Sequence, residues 1–383
     1  MKNAALALLF AWMDPCPPNM SCPEHGLPHS ESPLLVRVKA DVPAVCVKDI
    51  MGGLNGPDVA VCEVFVAGTA GTARERAAAY INLGHAYRWT KDDFRKPKSA
   101  LAAWDKAISE DSSFAEPHVL KGDVAAEGED KQLALPFYEK AQSIDPGNWR
   151  AVMGPAKIHM KLGQVNEAVA LAKKAVEIAP NVGVAHQIYG NILKRAERLD
   201  EALAEYRKAT IGYDRTKRRL PGVMQEGEPW GAVAHVEMRL GRPSRAAEAI
   251  SRQIDGLPDR AITPDDLIER AGYYEAAGRS GEAAADYDRA VALFGPGYEQ
   301  ADEYRTRAAM LRATAGNGQE AKGAFRDLLR SGKLQTILRI QVFLRNNGFS
   351  EVTIDGKTSA ELEMALERCL NDKDCSEALG QPI

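Results

Sequence analysis

The sequence predicts an all-α fold, an α-solenoid of stacked helix hairpins, and three observations carry that prediction. Small residues return at a fixed step: Ala134, Ala168 and Ala202 are each 34 residues apart, and so are Ala141, Ala175 and Ala209. Pro146 and Pro180 keep the same step. Each falls where a second helix must stop, because proline has no N–H to give the helix and its ring clashes with the preceding turn. Within a unit the two alanines stand on one helix face, seven residues apart, and Tyr138 or Tyr206 lies between them to fill the space beside them. One hairpin of this kind cannot bury its apolar face, so neighbours must stack to make a continuous core.

The 383-residue chain opens with MKNAALALLFAWMD, one lysine followed by an apolar run from Ala4 to Trp12. The run is too short to span a bilayer, which takes about 20 apolar residues. Its proportions are those of a secretory signal peptide over residues 1–15, although no clean Ala-x-Ala follows. Export to the periplasm or outside the cell is the expectation, and a cytoplasmic N-terminus is the alternative. A net charge of −4 gives no basic face for nucleic acid, and no integral membrane span is expected.

Residues 16–72 are expected to be a cysteine-bearing segment ending in a capping helix. The six cysteines, Cys16, Cys22, Cys46, Cys62, Cys369 and Cys375, lie outside the repeats and form three sequence-local couples. An even count in an exported chain fits three short disulfides, with the connectivity open. Cys16, Cys22, His25 and His29 could also form a tetrahedral zinc site. In an oxidising compartment, cysteines so close would instead oxidise, so no metal and no cofactor is expected. In VAVCEVFVAG the valine alternation suits a strand, yet Val59, Cys62 and Val66 also keep helical spacing behind Pro57-Asp58. A helix is the expected reading, since a terminal repeat needs a cap.

Residues 73–332 carry about seven hairpins. First-helix marks are Tyr80-x-x-Leu83-Gly84-x-x-Tyr87, Gly122 and Tyr189-Gly190, and second-helix marks of the first unit are Ala100, Trp104 and Ala107. Asp92 to Lys98 reads as an insertion, and Arg215 to Gly231 as a longer joint. Beyond it, Gly241 with Ala246, Gly278 with Ala283, Tyr287 and Ala290, and Gly316 with Ala321 and Phe325 mark three further hairpins. These marks resemble the tetratricopeptide repeat. The resemblance implies a superhelix whose inner groove, lined by first helices, holds a protein or peptide. Carried over, its groove positions are Ile81, His85 and Arg88, then Glu116, Val119 and Asp123. The third repeat gives Arg150, Met153, Lys157 and Met160 with Lys161 adjacent, and the fourth gives Gln187, Asn191, Lys194 and Arg195. Cations in the third and fourth repeats of an acidic chain would favour an acidic partner segment. The carboxylate-clamp pattern of chaperone-binding members is not matched.

No phosphate-binding glycine loop, His-Glu-x-x-His or Gly-x-Ser-x-Gly is present, so no catalytic residue is assigned. Residues 333–383 break the repeat. Leu334, Ile337, Leu338, Gln341, Val342 and Leu344 keep helical spacing, Asn346-Asn347-Gly348 stops that helix, and Asp355-Gly356 makes a turn. Thr358 or Ser359 then caps a second helix with Leu362, Ala365, Leu366 and Cys369 on its apolar face. Leu338, Gln341, Leu344, Gly348, Phe349, Asp355, Gly356, Ala365 and Leu366 resemble the small peptidoglycan-binding-like domain of bacterial envelope proteins. Two departures are Lys357-Thr358-Ser359 after the turn and Arg368-Cys369 at the close. If the tail binds glycan or stem peptide, Asn346, Asn347 and Asp355 are its candidate ligands. The expected function is a non-catalytic interaction scaffold of the cell envelope, docked by its tail to peptidoglycan. The alternative is a cytosolic adaptor whose tail is only a cap.

Overall fold

The computed structural model describes residues 59–68, 71–89, 97–216, 229–255, 261–294, 298 and 300–380. The expected leader, the couple Cys16 and Cys22, Cys46, and His25 and His29 lie outside the described residues. So does most of the joint before residue 229. Among the described residues the chain is all-α, and it divides after Ala179 into two compact units.

The first unit holds α1 (Val59–Ala67), α2 (Ala73–Trp89), α3 (Pro97–Glu110), α4 (Glu116–Ala125), α5 (Leu135–Ile144), α6 (Trp149–Lys161) and α7 (Val165–Ile178). Residues 59–67 are helical, and the physical reason is the face they bury. Cys62 is fully buried with Leu83, Ala86 and Ala103, and Val59 and Val66 pack against the same cluster. Cys62 is disulfide-bonded. Residues 131–134 form a 3-10 turn ahead of α5, with the Asp130 side chain accepting from the Gln132 N–H. Pro136 follows in the first turn of α5, where a missing N–H costs nothing.

The hairpins close by setting a large ring of the second helix on a glycine of the first. Trp104 is fully buried over Gly84, where an added Cβ would fall 2.1 Å from Nε1. Tyr138 lies against Gly122 and Gly154, where a Cβ would fall 2.9 and 2.3 Å from the ring. The alanine couples do what their spacing requires: Ala134, Ala141, Ala168 and Ala175 are all fully buried.

The second unit holds α8 (Gly183–Arg195), α9 (Leu199–Thr216), α10 (Pro229–Arg239), α11 (Pro243–Asp255), α12 (Pro264–Ala276), α13 (Ser280–Leu293), α14 (Ala301–Thr314) and α15 (Gly318–Arg330). The tail follows as α16 (Leu334–Asn346), α17 (Ala360–Asn371) and α18 (Lys373–Ala378). Tyr206 covers Gly190 as Tyr138 covers Gly122.

First helices from α6 onward end in one device. The second residue after the helix takes positive φ, and the next N–H reaches back five residues: Gln164 to His159 O, Arg242 to Glu237 O, Arg279 to Tyr274 O and Asn317 to Arg312 O. Glycine fills the positive-φ position at 163, 241, 278 and 316, but Glu197 (φ 59°) fills it after α8. A side chain there costs about 1 kcal/mol. Glu197→Gly should therefore raise stability by a net of about 0.5 kcal/mol, the strain removed less a solvent-exposed ion pair to Arg239 and some unfolded-chain entropy. A urea midpoint that falls instead would show that the ion pair outweighs the strain.

The tail shares its core with the last hairpin. Met310 and Ala313 of α14, Phe325 and Leu329 of α15, Ile340 and Leu344 of α16, Leu362 and Leu366 of α17, and Leu379 form one buried cluster. Cys369 and Cys375 are bonded within it, tying α17 to α18. Arg307 of α14 donates to the carbonyls of Leu379 (3.3 Å) and Gly380 (3.0 Å), which closes the chain onto the repeat.

Candidate functional site

In the first unit, α2, α4 and α6 bring ionisable groups together. Arg150 donates to Glu116 Oε1 at 2.5 Å and to Asp123 Oδ2 at 2.8 Å. Tyr138 donates to the other Asp123 oxygen at 2.6 Å. Arg88 pairs with Glu127. Arg150, expected among the cations of the third repeat, is thus paired within the unit, and Arg88 of the first repeat is paired as well. Ile81, Val119 and Met153 are buried and belong to the packing rather than to a contact surface.

One guanidinium serves two carboxylates here, so ionising both leaves a surplus negative charge. Burial pushes Glu116 up, to about 7, against the pull of Arg150 and with a further push from Asp123. His85 is only 6% exposed and lies edge-on to Trp104. Burial, then Arg150 and Arg88, drive it down to about 3, so it is neutral at physiological pH. Its Nε2 is buried with no hydrogen-bond partner among the described residues.

These two groups oppose each other. Unfolded His85 titrates near 6.5, so between pH 6.5 and 3 unfolding takes up a proton and stability falls as pH falls. Unfolded Glu116 titrates near 4.5, so between pH 4.5 and 7 unfolding releases a proton and stability falls as pH rises. From 4.5 to 6.5 the two contributions cancel. His85→Gln should expose a stability that declines with rising pH in that window, and Glu116→Gln one that climbs, each by up to about 1.4 kcal/mol per pH unit. Urea unfolding at pH 4.8 and 6.3 measures both slopes; parallel slopes in the two variants would refute the assignment.

In the third repeat Lys157 and Lys161 are exposed. In the second unit Gln187 is 2% exposed, so it packs rather than presenting itself to a partner. Asn191 accepts from the Tyr206 hydroxyl at 2.6 Å. Lys194 is half-buried and Arg195 exposed, and neither has an ion pair among the described residues. Burial and the neighbouring Arg239 of α10 hold Lys194 below its ordinary range. His235 of α10 stands beside both; partial burial and then Lys194 and Arg239 lower it. Arg239 pairs with Glu197 at 2.5 Å.

Two family models of the tetratricopeptide repeat match residues 90–149 and 125–192. The chain carries tetratricopeptide repeats. Solved structures of low identity resemble it as well. One is YrrB, described as a TPR protein with an unusual peptide-binding site: 19% identity, 52% of this chain and 96% of that one, TM-score 0.39. Another is the Cut9–Hcn1 hetero-tetramer of APC/C: 15% identity, 64% and 45% coverage, TM-score 0.46. A third is yeast Tom70: 15% identity, 76% and 59% coverage, TM-score 0.44. The repeat assignment rests on the family models and on the hairpins themselves.

The matched models span residues 90–192 and are of a repeat that in general serves protein–protein interaction rather than catalysis, which supports an interaction scaffold. No helix among the described residues is long and apolar enough to cross a membrane. Sequence reasoning stopped at the fourth repeat and so missed His235 and Arg239. Counting back from the helix stop would have found them: Lys157, Asn191 and His235 each lie six residues before Gly163, Glu197 and Gly241, and Lys161, Arg195 and Arg239 lie two before.

Of the tail candidates, Asp355 and Asn347 are engaged in structure. Gln341, 2% exposed, donates to Asp355 Oδ1 and to the Lys357 carbonyl, both at 2.9 Å, and its own oxygen accepts from the N–H groups of Asp355 and Gly356. Asp355 also accepts from the Lys357 N–H at 2.9 Å. Asn347 donates to the Phe343 carbonyl at 2.8 Å as it closes α16, and Asn346 is exposed. The Gln-and-Asp-Gly marks therefore lock a turn.

Proposed function

We propose that the protein is a non-catalytic scaffold exported to the bacterial cell envelope, and that the first helices of its repeats hold an acidic segment of a partner protein. One observation carries the partner class: Lys194 and Arg195 sit on first-helix positions without a counter-charge among the described residues, while Arg150 and Arg88 are paired. Export is supported by the bonding of Cys369 to Cys375 and of Cys62, since such bonds persist in oxidising compartments. Intact mass measured without reductant on protein from the native cell tests export: loss of the leading residues with the disulfides in place is expected, and a full-length reduced chain refutes it. For the partner class, the full chain should bind a labelled hexaglutamate peptide at low ionic strength and leave hexaglutamine free. Equal binding of the two peptides removes the acidic-partner reading.

A second reading concerns the tail. Its core is continuous with α14 and α15, and its Gln341–Asp355 pair is spent on the turn, which favours an end cap over a wall-docking module. Pelleting with purified sacculi should retain the full chain no better than an unrelated control; specific retention would restore wall docking.

A further inference from the structure

We propose that the short helix α18 is a latch on the end of the solenoid, closed by the Cys369–Cys375 bond and opened when a dithiol reduces it. α17 stays in the core through the change, and α18 alone moves.

The first observation is what the bond adds. Asp372 already joins the two helices. Its N–H reaches back to the Arg368 and Cys369 carbonyls to end α17, and its side chain accepts from the Cys375 N–H at 2.8 Å to begin α18. With a single residue between the helices, a cross-link adds no attachment. It fixes the direction in which α18 leaves, and that direction lays α18 against α14.

The second observation is how weakly the other contacts among the described residues hold α18 there. Its six residues do not make a stable helix by themselves, since isolated helices shorter than about 12 residues are marginal in water. The Ser376 carbonyl accepts from the Thr314 hydroxyl at 3.3 Å, but that hydroxyl has a nearer acceptor on its own helix, the Met310 carbonyl at 3.1 Å. Arg307 donates to the Leu379 and Gly380 carbonyls, yet its charged partner is Glu275 of α12, and a charged acceptor makes the stronger bond. Besides Cys375, the buried apolar anchor of this end is Leu379. α17 is held differently. Leu362, Ala365 and Leu366 are buried in the core shared with α14, α15 and α16, and Ser359 caps the helix start. Lys322 of α15 pairs with Glu367, and Glu351 with Arg368. Cutting the bond therefore releases α18 and leaves α17 seated.

The reducing step has one open side. Cys369 is fully buried, whereas Cys375 is 6% exposed in the first turn of α18, beside exposed Lys373 and Asp374. The thiolate of an incoming dithiol meets Cys375 Sγ first. A mixed disulfide forms there as the bond to Cys369 breaks, and the Cys369 sulfur leaves as a thiolate that takes up a proton. The second thiol of the reductant then displaces Cys375 and closes a cyclic disulfide. Two electrons pass from the dithiol to the protein, and both cysteines end as thiols. Opening uncovers the seat of Leu379 and removes two carbonyl acceptors from Arg307. The latch stays shut in an oxidising compartment and opens where dithiol reductants work.

The test is amide hydrogen exchange read by mass spectrometry on the full chain, with and without dithiothreitol and without denaturant. Alkylation of Cys369 and Cys375 reports that the bond has opened. Exchange across residues 373–380 should then rise about thirtyfold, the scale of freeing a short cross-linked loop. Exchange in α16 and α17 should change by less than about twofold. Reoxidation with oxidised glutathione should restore the protection. Cys375→Ser should show the open pattern without reductant and no further response to it across residues 373–380, which separates this bond from the one at Cys62. A bond that resists dithiothreitol, or unchanged protection of residues 373–380 once it opens, overturns the latch. Loss of protection in α16 and α17 together with α18 makes the bond a staple of the whole tail and overturns it as well. So does protection that fails to return on reoxidation.

Discussion

Arg150→Ala is expected to cost about 3–5 kcal/mol of stability in the first unit, the scale for removing one partner of a buried ion pair. The loss is large because the guanidinium makes two charge-assisted bonds, to Glu116 and Asp123, and both acceptors stay behind. Glu116 has only 12% of its side chain exposed, so water cannot replace the arginine there. A proton can: burial already raises Glu116 to about 7, and without Arg150 it rises further. The penalty should then be smaller at pH 6 than at pH 8. Adding Glu116→Gln to Arg150→Ala should recover about 1–2 kcal/mol, because a neutral amide removes the stranded charge. Urea unfolding of the single and double variants at both pH values measures this. A penalty below about 1 kcal/mol, or one independent of pH, would mean that the triad is solvated and adds little.

How much of this was legible beforehand depended on distance along the chain. The 34-residue return of alanine was legible because one hairpin repeats one local packing problem, and the same small residue solves it each time. Cys369 with Cys375 was legible for a similar reason, being six residues apart. The charge state of the groove was not. Arg150 reads as a free cation until α4 is placed against α6, since its partners stand 34 and 27 residues away. His235 and Arg239 were hidden because the joint between residues 216 and 229 breaks the 34-residue step, and only the helix stop restores the count. The tail was read correctly as helix, turn and helix. Its Asp355 looked like a ligand group because the side-chain hydrogen bonds between Gln341 and the turn leave no trace in sequence spacing. Pro155 is a further case: α6 runs through it from Trp149 to Lys161, where a local rule would end the helix.

Trp104→Ala should cost about 3–5 kcal/mol, the usual range for emptying a large buried aromatic site. The ring is fully buried with Ala77, Ile81, Ala100, Ala107, Phe114 and Leu120, and its Nε1 donates to the Ile81 carbonyl at 3.3 Å. Collapse cannot refill the space cheaply, since Ala77, Ala100 and Ala107 are too small to reach across it. The other half of the argument is Gly84. A Cβ at residue 84 would fall 2.1 Å from Nε1 in the parent, so Gly84→Ala alone forces the ring or the helix to move and should also cost more than about 1 kcal/mol. In the Trp104→Ala background the same methyl enters empty space, and the double variant should be no less stable than Trp104→Ala alone. That change of sign is a direct reading of contact between the two positions. The loss reaches the charged face as well, because Trp104 stands edge-on to His85. Removing the ring admits water to the imidazole, which eases the burial that holds it near 3, so the His85 titration should move up toward its ordinary 6.5 in Trp104→Ala. If the double-variant cycle shows additive costs and the His85 titration stays in place, α2 and α3 do not close through this ring, and the packing described for the first hairpin is wrong.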